Sequence, residues 1–440
     1  MRHSRLAFVE AKKRFRILEI ELLNTLVNPR SPDLAHILFA WELGGGFGHV
    51  APHLPVIDGL LARGHQVSFA LRNVANTARF FEQRNVRCLQ APFRLEPAAS
   101  PVRTPLTFPH ILHNCGYDDA DKLRGLVLAW RSLYELVQPD IVIFDHAPTA
   151  ILASRGHSFR RASLGTGFYV PPDSYPLPNL RPSVRVPAER LRADEDRVLA
   201  TINNVLERLQ LEPLSQIGKL FDLDAQFFRT VRELDHYRDR GDAEYLGSLP
   251  TPVCEIPVWP EGEGMRIFVY LKTSGLREVL RVLKSMSFPT LIFVSGLSPD
   301  VGREFSAPHM RFANKPLDIA AVAKQADVAV LNGSHDTAMP MLLAGVPTVN
   351  IPLYLEQSLL AARVAELGAG IHVSAARGDL VRRALNAAST SDEFRRAAAD
   401  FAARYGAHDP GAQLERLLDR IDDLAGNGVG RVVPSQDSRK

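Results

Sequence analysis

His49 closes a glycine-rich run, Gly44-Gly45-Gly46-Phe47-Gly48-His49, directly after the apolar stretch at residues 36–41. A histidine at the carboxyl end of a strand, ahead of a helix, faces the crevice in which open α/β sheets bind ligands. Its unperturbed pKa of about 6.5 suits a general base near neutral pH. The dipole of the following helix is expected to disfavour the protonated ring and so keep the base form. Asp145 ends a second apolar run, residues 141–144, and reaches the same edge of the sheet. There a carboxylate can hold the other ring nitrogen and stabilise the imidazolium formed by proton abstraction. Each residue also has a plainer reading, His49 as a loop cap and Asp145 as the N-cap of a helix ahead of Pro148. His146 competes with Asp145 for the same role.

A second constellation, Asn332-Gly333-Ser334-His335-Asp336-Thr337, lies between an apolar run and a helical pattern. Backbone N–H groups of residues 334–337 at a helix N-terminus would bind phosphate and stabilise a departing diphosphate without a metal. The hydroxyls of Ser334 and Thr337 and the imidazole of His335 can donate as well. Asp336 repels an anion unless it points away, and as an N-cap it has a simple structural use. Glu356-Gln357 at the next junction pairs a carboxylate with an amide, which matches sugar hydroxyls or caps a helix. Thr273, in Thr273-Ser274-Gly275, can also touch phosphate. The candidates for facing an acceptor are Phe47 in the glycine loop and His110 and His113 in a loop-like stretch, residues 100–119.

Other chemistries fit less well. The glycine run resembles a dinucleotide loop, but His49 stands where a small residue helps packing, and the next strand ends in Leu71-Arg72 rather than an acid. Asp118-Asp119-Ala120-Asp121 fits the acidic first turn of a helix better than a metal site. Cys88, Cys115 and Cys254 are odd in number and widely spaced, which disfavours a disulfide framework or zinc site and points to a reducing, cytoplasmic setting. Lys+Arg 52 against Asp+Glu 49 gives a net charge of +3, too balanced for nucleic-acid binding driven by bulk charge. No apolar run is long enough for a membrane span, and residues 1–28 lack the core of a signal peptide; they read as a mixed-charge helical extension, or as the result of a true start later than Met1.

The elements that must position these residues follow from periodicity. Strand, glycine loop, helix and strand succeed one another from residue 36 to 71, and helix-like and strand-like segments alternate onward to residue 164. Residues 72–83 read as a helix. The pattern restarts at residue 265 after a Pro-, Gly- and acid-rich stretch. The chain of 440 residues is thereby divided into an N-terminal extension (1–34), an α/β domain (35–250), a linker (251–263), a second α/β domain (264–410), a final helix (411–424) and a polar, disordered tail (425–440). Both halves imply Rossmann-like, doubly wound parallel sheets facing each other.

Together these motifs resemble the bacterial UDP-glycosyltransferase superfamily of the GT-B fold, the erythromycin and macrolide type included. The run ILFAWELGGGFGHVAPHLPVIDGLLARGHQVSF (37–69) is similar to that family's opening strand and Gly-His-x-x-Pro turn. PDIVIFD (139–145) resembles a later acceptor-domain strand, and DVAVLNGSHDTAMPMLLAGVPTVNIPLYLEQSLLAARVAELGAG (327–370) its donor signature. The resemblance makes His49 the catalytic base, Asp145 its orienting carboxylate, and Glu356 and Gln357 the pair that holds the donor sugar. The donor signature is degenerate: Asn332 stands where the family has a phosphate-contacting histidine, Ser334 replaces a glycine and Pro340 a ribose-binding glutamate. The last helix is implied to cross back onto the first domain.

The expectation is an inverting, metal-independent hexosyltransferase without a cofactor, cytoplasmic, with peripheral membrane contact at most. Its partners would be a nucleotide-diphosphate sugar, UDP-linked in the family, and a small, partly apolar acceptor. The rival readings are a lipid-linked sugar transferase of the peptidoglycan type, a non-catalytic nucleotide-sugar-binding partner protein and, more distantly, a nicotinamide dehydrogenase.

Overall fold

The computed structural model describes residues 34–251 and 254–426. The expected helical extension before residue 34 and nearly all of the expected tail lie outside the described residues.

The first domain is built on a seven-stranded, wholly parallel sheet. Its strands are β1 (His36–Trp41), β2 (Gln66–Leu71), β3 (Val86–Gln90), β4 (Ile141–Asp145), β5 (Arg160–Gly165), β6 (Ala225–Phe228) and β7 (Glu244–Tyr245), in the spatial order β3-β2-β1-β4-β5-β6-β7. Every residue of β1 and β4 is buried, as expected of central parallel strands covered on both faces. The strand order turns between β1 and β4, and Trp41 pairs with Asp145 at the carboxyl ends of the two. That is the switch point where such sheets open a binding crevice.

The second domain repeats the plan with β8 (Ile267–Leu271), β9 (Thr290–Val294), β10 (Met310–Ala313), β11 (Val328–Leu331), β12 (Thr348–Asn350) and β13 (Gly370–His372). The order is β10-β9-β8-β11-β12-β13, again parallel, with its turning point between β8 and β11. The Asn332 loop leaves that point. Among the residues between the domains, Glu255 pairs with Leu317 and Trp259 packs on the second core.

Two segments differ from their sequence pattern. Residues 72–83 form only a four-residue helix, Val74–Thr77, followed by a 3-10 turn. The stretch 100–119 is not a loop: it carries a helix, Phe108–Leu112, that widens into a π turn, His113–Tyr117, and kinks at Gly116 with φ 119°. Thr107 and His110 cap that helix reciprocally, with histidine in the place of the usual glutamate. The strands β6, β7, β10 and β13 are two to four residues long, too short for a period to show.

The final helix, Pro410–Gly426, lies across Leu54–Ala62 of the first domain. Leu417, Leu418 and Ile421 are buried in that domain's core. Gly59 lets the two backbones approach, since a Cβ there would meet Leu418 Cδ1 at 2.5 Å. Arg63 binds Glu415 at 2.8 Å and also Asp419 and Asp422. Leu418→Ala should destabilise the first domain by about 3 kcal/mol, measured by urea denaturation, through lost burial and the cavity left behind. Arg63→Ala, whose partners are largely exposed, should cost about 1 kcal/mol or less.

Candidate active site

The loop after β1 returns over the sheet edge in two 3-10 turns, Phe47–His49 and Ala51–His53. Pro52 sits early in the second and starts the descent into the helix at Leu54. Gly44, at φ +80°, passes under the His49 ring, where a Cβ would come within 2.5 Å of Nε2. Trp41 stacks on the same ring with centroids 5.2 Å apart. The imidazole is thus packed against an indole and close to a backbone that carries no side chain.

His49 Nδ1 is 3.1 Å from Asp145 Oδ2. A carboxylate only accepts, so Nδ1 carries the proton and Nε2 presents its lone pair. His53 Nε2 donates to the same Oδ2 at 2.9 Å. Burial opposes a charged Asp145, yet the two imidazoles outweigh it and hold its pKa far below the ordinary carboxylate range. Burial likewise opposes a charged His49, but the Asp145 charge and hydrogen bond, with Glu356 adding, raise its pKa. The expectation that a helix dipole keeps His49 neutral is therefore corrected. The ring stands on a 3-10 turn ahead of the helix, and the carboxylate at hydrogen-bond distance dominates. Burial lowers the pKa of His53 and outweighs its hydrogen bond to Asp145, so this ring remains neutral.

His146 is not a second claimant on Asp145. Its backbone has φ +45°, and its ring stacks on Tyr169 at 3.5 Å. Nor does Asp145 cap the helix Pro148–Ser154. Glu42, at the end of β1, accepts from Thr149 N at 2.7 Å and Ala150 N at 3.2 Å, and burial pushes its pKa up to about 7. Asp119 caps the helix Ala120–Val137 and Asp118 pairs with Arg94, which accounts for two members of the acidic cluster.

The second domain closes over this edge. Glu356 accepts from Tyr169 Oη at 2.6 Å and Thr166 Oγ1 at 3.1 Å, both in the loop after β5. Burial raises its pKa. The helix His335–Leu343 points its first turn at the first domain, with Ser334 as N-cap and Ser334 Oγ 3.2 Å from Thr337 Oγ1. Asp336 Oδ1 accepts from Arg229 Nη1 at 3.0 Å. Pro340 lies inside the helix.

Four donor-side residues are largely occupied by the fold. The Asn332 amide bonds Lys272 N at 2.7 Å and Ile351 O at 2.8 Å, tying the ends of β8, β11 and β12 together. Gly333 has φ +79°, and a Cβ there would press on Gln357 O at 3.1 Å. Gln357 ties the loop ahead of its own helix by accepting from Leu353 N at 2.9 Å. His335 Nε2 lies 2.9 Å from Thr230 Oγ1, and burial pushes its pKa down to about 4; this imidazole faces the first domain rather than open crevice. Thr273 is exposed. The acceptor candidates separate in the same way. Phe47 is partly exposed at the lip, edge-on to Phe80. His110 is buried, accepting from Thr107 N at 3.1 Å and donating to Asp194 at 3.1 Å, so it serves the fold instead of an acceptor. His113 lies 3.0 Å from Ser100 O.

No protein-family model matches the chain. A PGL/p-HBAD biosynthesis glycosyltransferase of Mycobacterium tuberculosis is 24% identical over 349 residues, 71% of this chain and 81% of that protein. The 4'-demethylrebeccamycin synthase of Lentzea aerocolonigenes is 25% identical over 428 residues, covering 87% and 97%. The calicheamicin glycosyltransferase CalG4 superposes with TM-score 0.66 at 18% identity over 91% of this chain and all of its own. The glycosyltransferase VinC, solved with dTDP, superposes with TM-score 0.64 at 15% identity over 89% of this chain and all of its own. The chain has the GT-B fold, and its sequence is similar to those of bacterial glycosyltransferases. Among its described residues no helix is long and apolar enough to cross a membrane, and no cluster of three His, Cys, Asp or Glu is placed to hold a metal ion.

In this glycosyltransferase, sequence reasoning missed His53, Thr166, Tyr169 and Arg229. His53 had a usable signal, four residues after His49 in a turn that brings both back to one edge. Arg229 and the residues 166–169 follow short strands and carried none. Titrated by NMR in the free protein, His49 should show a midpoint above about 6.5. Asp145→Asn should bring it below that value. A midpoint unchanged by Asp145→Asn would remove the carboxylate as the cause.

Proposed function

We propose that the enzyme moves a sugar, with inversion, from a nucleoside-diphosphate donor to a hydroxyl of a small, partly apolar acceptor. The observation that supports this best is the His49 imidazole, tied through Nδ1 to a buried, ionised Asp145, with Nε2 free at the sheet edge. In the proposed step the acceptor hydroxyl gives its proton to Nε2 as its oxygen attacks the anomeric carbon from the face opposite the phosphate. The bond from that carbon to the phosphate oxygen breaks, and the electron pair leaves with the nucleoside diphosphate. Asp145 stabilises the imidazolium formed. The N-terminus of the helix His335–Leu343, with the Ser334 and Thr337 hydroxyls, would receive the new charge on the diphosphate. Thymidine diphosphate bound to VinC supports a donor of this class. Glu356, and more weakly Thr273, would meet the donor once the Tyr169 and Thr166 contacts open. We assign no cofactor and no metal to the step.

The test is transfer by the purified protein from a panel of dTDP-, UDP- and GDP-sugars to varied acceptors, read by mass spectrometry. His49→Ala should retain donor binding and lose about two to four orders of magnitude in kcat. Wild-type rates in that variant would overturn the base assignment. Excess EDTA should leave the rate unchanged, and a loss restored by added Mg²⁺ would overturn the metal-independent reading. Donor binding with neither hydrolysis nor transfer across the panel would favour a non-catalytic partner protein.

A further inference from the structure

Arg229 is a buried cation that takes no part in the proposed transfer step. It follows β6 directly, where its backbone N–H donates to Gly165 O at 2.8 Å. Only 6% of its side chain is exposed. Of its five guanidinium donors, Nη1 binds Asp336 Oδ1 at 3.0 Å, while Nε is buried without a partner. A buried guanidinium is costly unless its donors are matched, and one half-exposed carboxylate is a sparse match. Asp336 is itself in an unusual place. It stands in the first turn of the helix His335–Leu343, so its carboxylate occupies ground where a helix N-terminus attracts anions. The pair also lies over the loop that carries His49, for a Cβ placed on Gly48 would be 3.8 Å from Asp336 Oδ2. The Arg229 charge acts on both His49 and His53. A cation of one domain, a helix N-terminus of the other and the candidate base thus converge on a single spot, now filled by an internal carboxylate.

We propose that Arg229 is the first domain's contribution to binding the donor diphosphate, and that Asp336 holds its place in the unliganded protein. This rests on the reading of the cleft as a nucleotide-sugar site. When a nucleoside diphosphate enters, its phosphate oxygens replace Asp336 on the guanidinium and fill the unmatched Nε as well. The arginine then ties the diphosphate to both domains at once. A planar, forked guanidinium suits phosphate oxygens better than a point charge does. Asp336 acts as a built-in competitor, which weakens diphosphate binding without touching the nucleoside.

The test compares dTDP and UDP with thymidine and uridine by calorimetry on the full chain. Wild type should bind each diphosphate more tightly than its nucleoside. Arg229→Met should reduce diphosphate affinity tenfold or more and leave nucleoside affinity within twofold. Arg229→Lys should fall between, and Asp336→Asn should raise diphosphate affinity severalfold. A diphosphate-to-nucleoside ratio that stays at the wild-type value in Arg229→Lys and Asp336→Asn overturns the inference, whether or not Arg229→Met folds, and leaves the cleft assignment standing. Wild-type protein that binds no diphosphate in preference to its nucleoside overturns both.

Discussion

A single carboxylate oxygen organises the acceptor side of this protein. Asp145 Oδ2 takes hydrogen bonds from His49 and His53 in a setting almost closed to water. A carboxylate there survives as an ion only because two N–H groups are aimed at it. The arrangement also sorts the two rings. His53 is neutral and has no exit to the cleft, while His49 keeps a free nitrogen on the open side. The pairing of Trp41 with Asp145 between β1 and β4 sets the height of the carboxylate, and the turns after Gly44 bring both histidines back to it. A shift of one residue in that register would point Asp145 away from both imidazoles and into the sheet's other face.

Across the cleft, the second domain meets the first through polar groups. Glu356 rests on the Tyr169 and Thr166 hydroxyls, Asp336 on Arg229, and His335 on Thr230. Each contact places a second-domain group that could face a donor against a first-domain partner that stands in for it. Tyr169 connects the two sides further, because its ring stacks on His146 and lies 5.5 Å from His49. Glu356 also helps to raise the pKa of His49, after Asp145.

Much of the fold was legible because parallel α/β sheets write themselves plainly. β1, β4, β8 and β9 are short apolar runs bounded by loops and helices, and two such series separated by a Pro- and Gly-rich stretch imply two Rossmann-like halves. His49 and Asp145 were legible for the same reason, as each follows or ends a recognisable strand. Local pattern was silent on what the neighbouring side chains bond. Asn332 and Gln357 look like ligand-facing groups by type and position, but both hold backbone together. His110 looks like a loop histidine, but it caps a helix whose five residues show no period of their own.

The amino-acid sequence by itself determined the fold class, the strand ends and the identity of the histidine and aspartate that meet there. These follow from hydrophobic period and from turn residues, which act over a few positions. Only the tertiary structure decided that His53 shares Asp145, that Glu42 rather than Asp145 caps the next helix, that His49 is made more basic rather than less, and that Arg229 faces Asp336. Those outcomes depend on distances between residues some 90 to 110 positions apart and on how much water each pair excludes. The strength of a buried charge interaction is set by its neighbours in space, which local sequence does not encode.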